Sequence, residues 1–290
     1  MVSEVGRKLI IVVGPTAVGK TGWSIDLALR VGSPVISCDS RQIYKEMTIG
    51  TAVPDASQLA AVKHYFIQDH TVAKMYTAGM YELEAIDLIE KLFSDGHETL
   101  VMAGGSMFYV DAVCNGLDDM PPADDDLRQE LTRRVREEGV DSLRMDLKRL
   151  DPVAYESIDI ANPQRVLRAV EVCLLSGRPF SSFKLAAPKK RSFEIEKIGL
   201  CRPRDVLYDR INQRVDKMME DGLVDEVRSL AEYRDTTALR TVGYSEIFSY
   251  LDGKCSLEQA VADIKTNTRH YAKRQMTWWK RDKDIRWIEL

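Results

Sequence analysis

The clearest structural signal in the chain lies in residues 8–21, Lys8-Leu9-Ile10-Ile11-Val12-Val13-Gly14-Pro15-Thr16-Ala17-Val18-Gly19-Lys20-Thr21. The first six residues form an almost wholly apolar, branched run, which is typical of a buried parallel strand. The next eight fit the pattern G-x-x-x-x-G-K-[ST] at every fixed position, and a helical pattern continues to about Arg30. A strand, a glycine-rich turn and a helix together predict a backbone cradle for a polyphosphate. In such a cradle Lys20 supplies a point charge and Thr21 can join a magnesium shell.

Strands and helices alternate along the segment that follows. Pro34–Cys38 and Thr99–Ala103 are predicted strands, and Tyr81–Phe93 is a predicted amphipathic helix with Leu83 and Ile86 on its apolar face. This alternation predicts an α/β protein with a P-loop NTPase-like parallel sheet flanked by helices.

The pattern changes after about residue 114, where two prolines and a cluster of aspartates mark a boundary. Residues 125–176 show only helical periodicity, and strand-like alternation returns over 193–201 before further helical segments. We therefore expect residues 1–114 and 193–290 to form the P-loop α/β core with C-terminal helices. Residues 115–192 are expected to form a helical insertion.

Composition narrows the function classes. The chain has 290 residues, of which 44% are apolar and 30% charged, which excludes a disordered or fibrous protein. The apolar run Leu9–Val13 is too short to span a membrane, so we expect a cytoplasmic protein. The five scattered cysteines predict reduced thiols. The net charge of −4 argues against nucleic-acid binding, but seven basic residues and one acid lie between Lys265 and Lys283. A local basic stripe of this kind can attract a phosphate backbone even when the net charge of the protein is negative.

The residues around the cradle leave its chemistry open. Asp39 ends the second predicted strand, where it could act as a base, as a magnesium ligand or as a helix N-cap. The third strand ends in Gly104-Gly105, with no acid to hold magnesium, which disfavours a motor or a GTPase. A small-molecule kinase and a nucleotide-gated RNA-binding protein both remain possible from these residues.

A series of motifs along the chain is more specific than the cradle alone. In chain order they are Gly14–Thr21, Asp39–Tyr44, Met47–Ala52 with Pro54, Gly104–Tyr109, Pro163–Arg165 with Arg168, Ala169 and Glu171, Arg240–Tyr244 and Ala272–Trp278. Together they resemble the bacterial tRNA dimethylallyltransferase family, also called tRNA isopentenyltransferases or IPP transferases, nearly end to end.

The resemblance implies a prenyltransferase that modifies tRNA. A dimethylallyl group would pass from dimethylallyl diphosphate to N6 of adenosine 37, in the anticodon loop of tRNAs that read codons beginning with U. The products would be N6-(dimethylallyl)adenosine and diphosphate. The cradle Gly14–Thr21 would bind the donor's diphosphate, although its motif alone is labelled nucleotide- or ATP-binding.

Site residues follow from the same resemblance. Asp39 matches the family's catalytic aspartate. The resemblance implies that the diphosphate is neutralised by Lys20, Thr21 and Arg240. It also implies Mg²⁺ as the cofactor, with Thr21 as one ligand and Asp39 as a second candidate ligand. The residues that match the family's tRNA contacts are Asp39, Ser40, Arg41, Gln42, Ser106, Arg128, Gln164, Arg165, Val166, Leu167, Arg168, Lys273, Arg274 and Gln275. The implied partners are the tRNA anticodon stem-loop and dimethylallyl diphosphate, with no membrane and a monomeric chain.

Alternatives and departures accompany these assignments. Arg165 and Arg168 share a helix face, which could instead be a solvated face paired with Glu171. Of Trp278 and Trp279, beside the basic stripe, one is expected in the core. Val53 and Ser245 stand where the family often has basic residues.

Overall fold

The computed structural model describes residues 6–184 and 187–290. The chain divides into two compact units. The first runs to Asn115 and resumes at Lys190–Leu290, and the second is Gly116–Lys189. The sequence predicts the corresponding helical insertion over residues 115–192.

A six-stranded parallel sheet forms the centre of the first unit. Its strands are β1 Lys8–Val13, β2 Val35–Ser37, β3 His64–Tyr65, β4 Thr99–Ala103, β5 Glu194–Cys201 and β6 Ile285–Glu289, in the spatial order β3-β2-β4-β1-β5-β6. The predicted parallel α/β sheet is therefore confirmed. Because β1 pairs with both β4 and β5, the turn that follows it lies in the middle of the sheet's carboxyl edge.

Helices follow most of the strands. In the first unit they are α1 Lys20–Val31, α2 Ala56–Ala61, α3 Ala78–Ser94 and α4 Met107–Asn115, then α9 Arg204–Glu220, α10 Leu223–Ser229, α11 Tyr244–Leu251 and α12 Leu257–Trp279. The second unit contains α5 Asp125–Glu138, α6 Val140–Leu150, α7 Pro152–Ser157 and α8 Pro163–Ser176. Across the described residues, no helix combines the length and apolarity that a membrane span needs.

Both faces of the sheet are covered, which explains the continuous apolar run of β1. Leu9, Ile11 and Val13 pack into one core cluster, and Ile10 and Val12 into another on the opposite face. Successive side chains of a strand point to opposite faces, so a doubly covered strand is apolar at every position.

Three elements were not predicted, and one apolar position was assigned wrongly. The strand β3 has two residues, and the helices α2 and α4 are short segments close to glycine- or proline-containing turns. Leu83 on α3 is 68% exposed, whereas Tyr81, Ala85 and Ile89, four residues apart, carry the buried face. All five cysteines are free thiols, in agreement with the prediction.

The second unit has a core of its own. Leu131, Leu143 and Leu147 from α5 and α6 pack with Val166 and Val170 of α8. Asn162 caps α8, since its side chain accepts hydrogen bonds from the backbone of the first helical turn.

Candidate active site

The glycine-rich turn joins β1 to α1 in a tight conformation. Gly14 has a φ of +147°, and a Cβ there would lie 2.6 Å from the carbonyl oxygen of Leu200 on β5. Gly19 precedes α1 with a φ of +117° and provides no side-chain cap, so the first N–H groups of the helix have no side-chain acceptor at that position. Free N–H groups and the helix dipole favour an anion at this end of α1.

A cavity of about 660 Å³ opens beside this turn, at the carboxyl edge of the sheet. Parallel sheets bind ligands at this edge. The polar side chains on its wall come from several parts of the first unit, and they include Thr16, Lys20, Thr21, Asp39, Gln42, Arg210, Arg214, Tyr271 and Gln275.

Lys20 faces the cavity from the start of α1. Its Nζ donates hydrogen bonds to the carbonyl oxygens of Gly14 at 2.9 Å and Pro15 at 2.8 Å. Burial, and then the nearby positive charge of Arg214, lower the pKa of Lys20 to about 8. A bound anion would favour the charged form of Lys20 and so raise its pKa again.

Asp39 uses its two carboxylate oxygens differently. Its Oδ1 accepts hydrogen bonds from the backbone N–H groups of Arg41 at 2.9 Å and Gln42 at 3.2 Å, so it caps the turn that follows β2. No described residue donates a hydrogen bond to its Oδ2. The carboxylate is therefore held in place through one oxygen, and the other remains available on the cavity wall.

The turn after Asp39 is also held by side chains. The Ser106 hydroxyl accepts a hydrogen bond from the Ser40 N–H at 2.8 Å and contacts the Ser40 hydroxyl at 2.8 Å. Gln42 donates from Nε2 to the carbonyl oxygens of Thr51 at 3.1 Å and Ala52 at 2.8 Å. Ser106 and Gln42 thus position the turn that carries the carboxylate.

Gln275 has a structural position that the sequence did not predict. It is 1% exposed, and it accepts a hydrogen bond from the Thr16 N–H at 2.8 Å while it donates to the carbonyl oxygen of Gly105 at 2.9 Å. Its side chain connects the P-loop, residues 14–21, to the turn after β4. Gln275 is therefore buried and does not lie on the exposed surface where a tRNA-contacting residue was expected. A buried amide must find both partners internally.

The neighbours of Gln275 on α12 point outward. Lys273 and Arg274 are exposed. Trp279 is 2% exposed and belongs to the core, as expected for one tryptophan of the pair, and Trp278 lies 5.7 Å from the ring of Phe108.

The resemblance indicated Arg240 as the arginine that neutralises the diphosphate, but other arginines line the cavity. Arg240 is 53% exposed with a guanidinium nitrogen 3.9 Å from Asp235, and it is not among the residues that line the cavity. Arg210 and Arg214 of α9 line it instead. Arg214 donates to the Thr16 hydroxyl at 3.0 Å, and Arg210 donates to the carbonyl oxygen of Ala17 at 2.8 Å. Both arginines lie in the helical segments predicted after residue 201, four positions apart. This i, i+4 spacing, which puts them on one helix face, is the sequence signal that could have identified them.

Glu226 is a second residue that sequence reasoning missed. It accepts hydrogen bonds from the N–H groups of Thr48, Ile49 and Gly50 at 3.0, 2.7 and 3.0 Å. It also accepts one from the Tyr244 hydroxyl at 2.6 Å. This carboxylate holds the 48–50 turn, whose neighbouring carbonyls in turn hold Gln42.

In the second unit, two of the expected tRNA-contacting residues are paired with one acid. Arg128 and Arg168 each donate to Oε2 of Glu171 at 2.7 Å, and Glu171 is fully buried. Gln164 and Arg165 are exposed at the start of α8. Val166 and Leu167 are 0% and 3% exposed, so their side chains belong to the core of this unit and not to a binding surface.

A family model described as IPP transferase matches residues 42–282 of the chain. The chain belongs to the IPP transferase family. Relatives agree with this over nearly the whole chain. It is 48% identical to tRNA dimethylallyltransferase 1 of Bacteroides thetaiotaomicron, over 97% of this chain and 91% of that protein. It is 47% identical to the tRNA dimethylallyltransferase of Christiangramia forsetii, over 97% of this chain and 93% of the relative.

Solved structures of the family share the fold. The full-length tRNA isopentenylpyrophosphate transferase of Bacillus halodurans is 38% identical, covers 98% of this chain and 90% of its own, and superposes with a TM-score of 0.71. A eukaryotic dimethylallyltransferase acting on tRNA is 25% identical, covers 98% of this chain and 74% of its own, and has a TM-score of 0.82. This IPP transferase therefore shares its fold with both bacterial and eukaryotic relatives.

Proposed function

We propose that this IPP transferase transfers a dimethylallyl group from dimethylallyl diphosphate to N6 of adenosine 37 in tRNA, and releases diphosphate. The observation that carries the proposal is that one cavity holds both a cationic P-loop and the Oδ2 of Asp39, to which no described residue donates a hydrogen bond. Relatives named tRNA dimethylallyltransferase, aligned with 97% of the chain, support the same reaction.

Asp39 is the proposed base. The exocyclic amine of adenine is a poor nucleophile because its lone pair is delocalised into the ring. A carboxylate oxygen that accepts a hydrogen bond from N6 orients the amine and takes its proton as the new bond forms. The Oδ1 bonds to Arg41 and Gln42 keep Oδ2 in place for this purpose.

The P-loop is proposed to bind the leaving group. As the allylic C1–O bond breaks, its electron pair moves to a diphosphate oxygen, and the allylic carbon becomes cationic. Lys20 and the N–H groups at the start of α1 neutralise the charge that develops there. They do so in a fixed arrangement, since the loop is tied down by Gln275 and Arg214.

The residues present suit a magnesium ion. Among the described residues there is no group of three His, Cys, Asp or Glu side chains that could hold a metal alone. Thr21 and Asp39 nevertheless line the cavity together, and Mg²⁺ is commonly held by one or two protein oxygens plus substrate phosphates and water. Bound there, Mg²⁺ would neutralise part of the diphosphate charge.

The tRNA is proposed to contact the exposed basic residues of both units. Arg165 at the start of α8 and Lys273 and Arg274 on α12 are exposed cations, which suit a phosphate backbone. Arg128 and Arg168 are held by Glu171. An adenine in a single-stranded loop can leave its stack at modest cost to reach Asp39.

The test of the reaction is direct. The purified protein is incubated with labelled dimethylallyl diphosphate and unmodified tRNA, and the digested nucleosides are analysed. N6-(dimethylallyl)adenosine at position 37 is expected. Phosphorylation of a small metabolite by ATP, with no label in tRNA, would instead identify a kinase, and tRNA binding without either product would identify a binding protein.

Donor binding is expected to weaken as the pH rises through about 8, the pKa of Lys20 in the unliganded cavity. Above that pH the lysine loses its proton and the charge that attracts the diphosphate. The dissociation constant for dimethylallyl diphosphate, measured by calorimetry at constant ionic strength, should rise about tenfold between pH 7.5 and 9. A Lys20→Met variant should give a flat profile, and a flat wild-type profile would contradict the assignment.

Removing an exposed cation from the tRNA surface is expected to weaken tRNA binding and its salt dependence. For Arg165→Ala or Lys273→Ala, the slope of log affinity against log salt should fall by about 0.7–0.9 for each lost phosphate contact. The difference from wild type is therefore largest at low salt. Arg133→Ala is the matched control, because this exposed arginine is paired with Glu137 at 3.0 Å. An Arg165 slope equal to that of the control would remove α8 from the interface.

A further inference from the structure

A carboxylate outside the cavity holds a turn that leads into the cavity wall. Glu226 lies on α10, is half-buried and is not among the residues that line the cavity. Its two oxygens accept hydrogen bonds from the N–H groups of three consecutive residues, 48–50, at 2.7 to 3.0 Å. Three bonds from successive peptide groups to one charged side chain fix the path of the backbone there.

Tyr244 packs against the same turn from the start of α11. Its hydroxyl donates a hydrogen bond to Oε1 of Glu226 at 2.6 Å, and its side chain is fully buried. A Cβ on Gly50 would lie 2.5 Å from the Tyr244 ring, so the turn and the ring are in close contact. The carboxylate and the ring therefore hold this turn together, and a larger side chain at position 50 would push it away from them.

The other end of the turn is bonded to Asp39 through Gln42. The side-chain Nε2 of Gln42 donates to the carbonyl oxygens of Thr51 and Ala52 at 3.1 and 2.8 Å. The backbone N–H of Gln42 donates to Oδ1 of Asp39 at 3.2 Å. Ala52 has a φ of +51°, which is costly for a residue with a Cβ and persists only where the surroundings hold it. The segment that Glu226 holds is thus bonded to the one that carries the catalytic carboxylate.

We infer that Glu226 is a positioning residue for Asp39, and that it acts on the transfer rate from outside the cavity, through residues 48–52 and Gln42. This rests on the proposed function. Proton removal needs Oδ2 of Asp39 within hydrogen-bond reach of the adenine amine. A displacement of about 1 Å from that geometry can cost about 10²-fold in rate. A carboxylate that fixes the supporting turn therefore sets how well the base is aimed.

A purely structural role is the alternative. Glu226 would then contribute only to the stability of the first unit, and its loss would lower the melting temperature with no selective effect on transfer. The two roles differ in two measurable ways. A positioning residue loses its effect on the rate once Asp39 is no longer a base. Its loss also loosens the backbone amides that Asp39 caps, which hydrogen exchange detects.

The test compares Glu226→Gln with a matched control, Thr77→Ala. Thr77 caps α3 by accepting a hydrogen bond from the Met80 N–H at 3.2 Å, and neither Thr77 nor α3 lines the cavity. Single-turnover transfer is measured at saturating tRNA and donor, at a temperature where both variants are folded. We expect a rate about 10–100-fold below wild type for Glu226→Gln and a wild-type rate for Thr77→Ala. Affinity for inorganic diphosphate, which binds at the P-loop, should match wild type in both.

Two further measurements connect the effect to Asp39. In an Asp39→Asn background, Glu226→Gln should leave the residual rate nearly unchanged, because the base that it positions is already absent. In hydrogen exchange, the Arg41 and Gln42 amides should exchange faster in Glu226→Gln than in wild type. Gly50→Ala, which adds a Cβ against the buried ring, should reproduce both effects without altering the carboxylate.

The outcomes separate the alternatives. If a folded Glu226→Gln transfers within twofold of wild type, or lowers the rate equally in the Asp39→Asn background, Glu226 is structural and the inference is wrong. If that variant does not fold, Tyr244→Phe decides, because it removes only the hydroxyl bond to Glu226. A loss of about threefold is expected there, and a wild-type rate overturns the inference. Should the wild type leave tRNA unmodified while Glu226→Gln still speeds exchange at Arg41 and Gln42, the positioning stands and the proposed function fails.

Discussion

The Asp39→Asn variant is expected to lose dimethylallyl transfer by about 10²–10⁴-fold in kcat while it keeps its affinity for tRNA. An asparagine oxygen can still accept the hydrogen bonds from Arg41 and Gln42, which Asp39 receives at 2.9 and 3.2 Å, so the turn keeps its cap. What disappears is the negative oxygen that takes the amine proton. Single-turnover transfer with saturating tRNA and donor measures this loss.

Asp39→Ala serves as the comparison, because it removes the cap and the base together. We expect it to be as inactive as Asp39→Asn but less stable by about 0.5–2 kcal/mol, the usual value of a lost capping bond. A transfer rate for Asp39→Asn within tenfold of wild type would rule out proton removal by this residue. Loss of tRNA binding in Asp39→Asn would instead indicate that the carboxylate acts in recognition.

Lys20→Met is expected to lower kcat by about 10²–10³-fold, the usual cost of removing one group that stabilises a developing oxyanion. The methionine keeps much of the length of the lysine side chain but has no charge. It also loses the two bonds to the Gly14 and Pro15 carbonyls. Donor affinity and transfer rate should fall together, and tRNA affinity should stay at the wild-type value.

Lys8→Met is the matched control for this variant. Lys8 begins β1, the strand that leads into the P-loop, and its ammonium lies 3.5 Å from the carboxylate of Glu196, away from the cavity. It should leave both donor affinity and transfer unchanged. If Lys20→Met kept full activity, the P-loop could not be the site that neutralises the leaving group.

The Asp39 and Lys20 predictions both depend on the cavity, and only some of its residues could be identified from the sequence. Gly14, Gly19, Lys20 and Thr21 were identifiable because a phosphate-binding turn needs these residues in one short stretch. Asp39 was identifiable because it ends a buried strand. Arg214 and Glu226 were not, since an arginine or a glutamate on an amphipathic helix looks the same whether it faces solvent or a ligand.

Motifs and periodicity left the direction of some side chains undetermined. The α8 motif placed Gln164 and Arg165 on an exposed turn of helix, but its middle residues, Val166 and Leu167, face the core of the second unit. Gln275 lies in a motif rich in basic residues and yet is buried. A motif marks a stretch of chain, whereas each side chain in it takes a different direction around the helix.

The parallel sheet, the P-loop and most of the helices followed from the sequence alone. Each of these depends on residues that are close in the chain, through the alternation of strands, the 3.6-residue period of helices and the glycines of one turn. Which distant side chains meet is known only from the packed structure. Gln275 reaches Thr16 across 259 positions, and Arg214 reaches the same residue across 198. Such pairs depend on how α9 and α12 pack against the sheet, which no local pattern specifies.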